Sequence, residues 1–84
     1  DEAAFKFLQQ DLASRIRAAR KSRGLSQEAL ALAAEVDRSY VSQLERGVAN
    51  PSLAILQRVS EVLGVSLRVS FDTKNDQAML ESFD

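Results

Sequence analysis

Arg38, Ser39, Ser42, Gln43 and Arg46 recur at intervals of three, four and seven, with Tyr40 among them. On a helix those intervals fall on one face. With Val41 and Leu44 turned inward, the outer face carries only hydrogen-bonding groups and the tyrosine at its edge. The chemistry such a face can do is recognition of base edges. A guanidinium donates two bonds to guanine O6 and N7, a glutamine amide pairs with adenine N6 and N7, and a serine hydroxyl serves either base. Bond-making chemistry has far less to work with. The chain has no cysteine and no histidine, which removes disulfides, thiolate nucleophiles, the usual zinc ligands and imidazole acid-base catalysis. Glu28, Glu45 and Glu61 lie where helix caps and ion pairs already explain them, so the expectation is a protein that is not an enzyme and uses neither cofactor nor metal.

The elements that must hold this face follow from apolar spacing and from stop signals. Phe5, Leu8, Leu12, Ile16 and Ala19 step by three and four, predicting an amphipathic helix from about residue 3 to 23 that ends at Gly24. Ser26 can cap a second helix with Leu30, Ala31 and Ala34 inward, ending near Ala34. Asp37 is the next N-cap, opening a short helix that stops at Gly47. Asn50 and Pro51 form a cap and first-turn signal for a fourth helix with Leu53, Leu56, Val59 and Leu63 inward, stopped by Gly64. Between the second and third helices lie only Glu35, Val36 and Asp37, the length of a helix-turn-helix connection.

Beyond Gly64 the period changes. Val65, Leu67, Val69 and Phe71 alternate with Ser66, Arg68, Ser70 and Asp72, the two-residue repeat of a strand. A lone strand leaves its backbone groups unpaired, and no second strand is evident in the chain. The same segment of another copy is the natural partner. Residues 73–84 are polar and acidic apart from Ala78, Met79, Leu80 and Phe83, which fits either a frayed tail or a short terminal helix.

Eighty-four residues make one domain, with a core at 10–67 and a dimerisation strand and tail at 65–84. The net charge of −1 is unpromising for a nucleic-acid ligand until it is resolved along the chain. Five of the eleven cations, Arg15, Arg17, Arg20, Lys21 and Arg23, fall within nine residues. Screening limits each charge to about 8–10 Å, so a local basic stripe can meet phosphates on an otherwise acidic body. No apolar run approaches a membrane span, and the N-terminus lacks the order of a signal peptide. A cytoplasmic protein of the prokaryotic cytosol or nucleoid, without a membrane partner, is expected.

Four segments, in this order and spacing, resemble a known family. Leu25-Ser26-Gln27-Glu28-Ala29-Leu30-Ala31 is similar to the opening of the helix-turn-helix in the phage repressor and Cro class, the XRE family. Tyr40-Val41-Ser42-Gln43-Leu44-Glu45-Arg46-Gly47 is similar to the end of its recognition helix. Asn50-Pro51-Ser52-Leu53 and Leu63-Gly64-Val65-Ser66 complete the pattern, so the likeness covers residues 10–67. It implies a mainly α, lambda-repressor-like bundle of four to five helices, a transcriptional regulator that is a repressor or autoregulator, and double-stranded DNA as ligand. Arg38, Ser39, Tyr40, Ser42 and Gln43 would contact bases. Gln27, Arg20, Arg46, Asn50 and Ser52 would contact the DNA backbone. Arg20 also resembles the family residue that pairs with Glu45 to lock the first helix to the end of the third. Asp37-Arg38-Ser39-Tyr40 has a narrower likeness to restriction-modification controller proteins, in which Tyr40 would lie against the sugar-phosphate wall or a flexible step. The turn position that the family usually gives to glycine is Glu35 here.

The C-terminal strand departs from the family's usual fifth helix and is similar to antitoxin repressors whose terminal strands pair across a dimer. The expected dimer contacts are Ile55, Val62, Val65, Leu67, Val69 and Phe71. A twofold dimer would set two recognition helices about 34 Å apart and read a pseudo-palindromic operator. The alternative is an interaction module that binds a toxin or other protein, with DNA secondary.

Overall fold

The computed structural model describes residues 1–73. Four helices follow in order: α1 (Glu2–Ser22), α2 (Gln27–Ala34), α3 (Arg38–Arg46) and α4 (Leu53–Leu63). Each starts and stops for a local reason. The Asp1 carboxylate accepts from Ala4 N at 2.8 Å, and Glu2 adds negative charge to the first turn of α1. The Ser26 hydroxyl caps α2 through Ala29 N at 3.0 Å. Asp37 is the N-cap of α3 but makes no side-chain bond there. The cap of α4 is Ser52, accepting from Ile55 N at 3.2 Å, two residues beyond the cap expected at Asn50.

One core serves all four helices: Ile16 from α1, Leu30, Ala31 and Ala34 from α2, Val41 and Leu44 from α3, Ala49 from the following loop, and Val59 and Leu63 from α4. Helix α2 packs against both α3 and α4, and α3 packs against α1. The alanines of α2 have short side chains that let its neighbours approach. Two expected inward stripes are shorter than their periodicity. Phe5 and Leu8 are exposed, because α1 runs for two turns beyond the edge of the bundle, and Leu53 is 62% exposed at the solvent end of α4.

The connection from α2 to α3 is the three-residue one expected. Glu35 closes α2 in the left-handed region at φ 60° and ψ 45°, and its N–H and that of Val36 return to carbonyls of α2. The departure from glycine leaves the turn unchanged, at a cost of about 1 kcal/mol for a residue with a Cβ. Arg58 secures the same turn from α4, its Nε donating to Ala34 O at 3.0 Å.

Residues 65–73 form neither helix nor ladder in the single chain. The expected strand is therefore not formed here: a strand is defined by its pairing, and within the described residues nothing pairs with this segment. Residues 74–84, with the choice between tail and short helix, lie outside the described residues.

Candidate nucleic-acid interface

Helix α3 is amphipathic in the sense that its face requires. Val41, Leu44 and Glu45 are buried, while Arg38, Ser39, Gln43 and Arg46 are exposed and Ser42 is half-buried. Tyr40 is half-buried and packs against the core. Beyond the helix, Gly47 turns the chain at φ 75°, and Asn50 and Ser52 are exposed.

The face is held by a buried ion pair. Arg20 Nε and Nη2 donate to Glu45 Oε2 and Oε1 at 2.6 and 2.9 Å, joining α1 to the last turn of α3. Arg20 Nη1 donates to Leu25 O at 2.8 Å, tying in the loop before α2, and Gln27 Nε2 donates to Glu45 Oε1 at 3.1 Å. The Glu45 side chain is 3% exposed and that of Arg20 11%. Burial alone would raise the Glu45 carboxyl. The bonds from Arg20 and Gln27, with the charges of Arg20 and Arg17, outweigh it and hold the carboxyl below its ordinary value. Hydrogen bonding to Glu45 is the largest influence on Arg20 and raises it, against the opposing effect of burial.

The arrangement forms the expected lock of α1 to the end of α3. Three of the five N–H groups of Arg20 are engaged inside the domain, which leaves two that can meet a phosphate. Other cations lie beside it. Arg17 and Lys21 line a groove of about 260 Å³ with Gln10, Ser14 and Glu45, so the basic end of α1 flanks the end of α3. Gln27 retains its amide oxygen and the N-terminus of α2, its nitrogen being held by Glu45. Ser52 offers its hydroxyl to its own helix as a cap.

Two residues that spacing did not single out fix the loop after α3. Gln9 Nε2 donates to Ala49 O at 2.6 Å, and Gln10 Nε2 to Arg46 O at 3.4 Å. Gln9 continues the stripe of Leu12, Ala13 and Ile16 and Gln10 lies beside it, but an amide side chain does not register in an apolar pattern. The expected dimer residues divide. Ile55 and Val62 are half-buried against the core. Val65, Leu67, Val69 and Phe71 line a separate apolar groove of about 890 Å³ with Leu8, Leu12 and Ile16 of α1 and Leu56, Val59 and Leu63 of α4.

The family profile described as helix-turn-helix, HTH_3, matches residues 16–69. The chain belongs to the HTH_3 helix-turn-helix family. Among relatives of this HTH_3 domain, the HTH-type transcriptional regulator SinR of Bacillus subtilis (strain 168) is 41% identical over 66 residues, 77% of this chain and 60% of SinR. A crystal structure of SinR in complex with DNA, described as the master regulator for biofilm formation, superposes with a TM-score of 0.63 at 45% identity, covering 66% of this chain and 89% of that one. The restriction-modification controller protein C.AhdI from Aeromonas hydrophila superposes with a TM-score of 0.67 at 38% identity, covering 69% and 88%. The HTH_3 domain thus spans less than two thirds of the SinR sequence. Among the described residues no helix is long and apolar enough to cross a membrane.

Proposed function

We propose that this chain is the sequence-specific DNA-binding domain of a transcriptional regulator, a repressor or autoregulator, which enters the major groove with α3 and acts as a homodimer on a pseudo-palindromic operator. The observation that carries it is the exposed polar face of α3 standing beside the cations Arg17 and Lys21. Arg38, Ser39, Ser42 and Gln43 read base edges from that face. Tyr40 borders the sugar-phosphate wall. Arg46, Asn50 and Ser52 hold phosphates beyond α3, and the N-terminus of α2 with Gln27 holds one on the other side. Arg20 meets a phosphate with the N–H groups that Glu45 and Leu25 leave over, and Arg17 and Lys21 add to that contact. The likeness to SinR, solved with DNA, and to a restriction-modification controller supports the same assignment.

Selection of bound sequences from a random DNA pool tests binding, symmetry and spacing together. Two inverted half-sites about one helical turn apart are expected. Recovery of no consensus would overturn the assignment.

A second reading, a module that binds a toxin or other protein, is favoured by the exposed Phe5, Phe7 and Leu8 on the overhanging turns of α1. It predicts DNA affinity that barely responds to salt.

A further inference from the structure

The loop from α3 to α4 carries Asn50 toward the Ser52 cap, and little of it is held by its own backbone. On the α3 side Val48 N donates to Gln43 O at 3.1 Å, and on the α4 side Leu56 N donates to Ser52 O at 3.1 Å. Among the described residues Ala49, Asn50 and Pro51 make no backbone-to-backbone bond. Pro51 has no N–H to give. Ala49 is 7% exposed and belongs to the core, so its carbonyl needs a partner inside the protein. Gln9 is that partner: its Nε2 donates to Ala49 O at 2.6 Å, in a part-buried position, from forty residues away in the chain. The neighbouring bond from Gln10 to Arg46 O is longer, 3.4 Å, and exposed.

We infer that Gln9 is a positioning residue for phosphate recognition, which aims the peptide unit entering Asn50 by holding the Ala49 carbonyl. The inference rests on the DNA-binding reading above and adds a residue that acts on a phosphate contact without making it. A trans peptide is rigid and planar, and its C=O and N–H point in opposite directions. With the Ala49 oxygen drawn to α1, the Asn50 N–H is turned away from α1. That N–H has no partner among the described residues, and Asn50 is exposed. It is a free donor for an anionic oxygen, next to the Asn50 side chain. A backbone N–H bonded to an oxyanion is a charge-assisted bond, and it weakens steeply as the donor turns out of line. Without the Gln9 amide the peptide between Ala49 and Asn50 is free to rotate, and both donors of Asn50 lose their fixed direction.

The test uses the full chain as wild type, Q9M, Q9A and N50A. Q9M keeps the length and bulk of the side chain and removes the donor, whereas Q9A removes both. Affinities are measured for the operator selected from the random pool and for copies in which one phosphate at a time is replaced by a neutral methylphosphonate. Circular dichroism gives the folded fraction of each variant, to which its affinity is referred. Q9M and Q9A are expected to weaken binding alike, by about three- to tenfold, with base preference unchanged. At one symmetry-related phosphate position, the one whose replacement also removes the cost of N50A, the cost of Q9M should vanish, because the contact that Gln9 aims is already gone. A Q9M variant that binds as tightly as wild type, or that costs the same at every replaced phosphate, would overturn the role of Gln9 and leave DNA binding standing. A wild type that selects no operator would overturn both.

Discussion

Arg20 and Glu45, twenty-five residues apart, share two charge-assisted bonds of 2.6 and 2.9 Å beneath the recognition face. Glu45 sits one residue before Arg46 and one turn after Ser42 on α3. The buried pair therefore sets the position of the helix that carries the polar face, and Arg20 acts on that position through Glu45.

Removing one partner strands the other in the interior. R20A is expected to destabilise the domain by about 3–5 kcal/mol, measured by urea unfolding, and to reduce DNA affinity even when the folded fraction is accounted for. Arg17→Ala, in contrast, should leave stability nearly unchanged and weaken DNA binding at all sequences alike.

The same pair gives the domain an acid limb. The folded-state value of Glu45 lies below that of the unfolded chain, about 4.3 for an ordinary glutamate. Its contribution to stability is thus fully present above roughly pH 4.3 and is lost as pH falls through the folded value. Unfolding free energies measured from pH 7 to pH 3 should fall across that window in wild type, and less steeply in E45Q.

Most of the fold was legible because its signals are local. Ser26, Gly24, Gly47 and Gly64 mark helix ends through hydroxyl capping and left-handed backbone, and the burial of Leu30, Val41 and Leu44 follows from spacing alone. The misread positions depend on tertiary extent. Nothing local tells Phe5 and Leu8 that α1 outruns its partners, or tells Leu53 that it faces water. Asn50 and Ser52 are both good caps, and the backbone chose the second. The polar face of α3 was legible from residue type, and the pairing of Arg20 with Glu45 from the family resemblance. Spacing alone does not separate Arg17, Arg20 and Lys21, which read alike as cations at the end of α1. The period of residues 65–71 was visible, while a strand's existence depends on a partner that periodicity cannot supply.

Glu35 stores a small backbone strain. E35G relieves about 1 kcal/mol of left-handed cost but enlarges the freedom of the unfolded chain, by about 0.4–1 kcal/mol. Thermal unfolding should accordingly show E35G neutral to slightly stabilised. E35V places a β-branched side chain at the same φ of 60° and should be destabilised by more than about 1 kcal/mol.

Gly47 is constrained by its φ of 75°; the Gln10 amide, which a Cβ would approach to 2.5 Å, is the end of an exposed, flexible side chain that can swing aside. G47A is expected to cost about 1–2 kcal/mol of backbone strain. Adding Q10A should recover little of it, so the double-mutant cycle in unfolding free energy should be additive within about 0.5 kcal/mol.

Arg46 ends α3 beside the clamped loop. R46A should lower the slope of log affinity against log salt by about 1 for each phosphate that the side chain neutralises, and should weaken binding to consensus and mutated sites equally.

The sharpest test is the base preference of R38A against wild type, measured as affinities for a selected site and for every single base-pair variant of it. Loss of about 1–3 kcal/mol of discrimination at one symmetry-related pair of positions, with preference elsewhere intact, is the predicted result. A preference profile unchanged at every position would contradict the proposal that α3 reads DNA through this face.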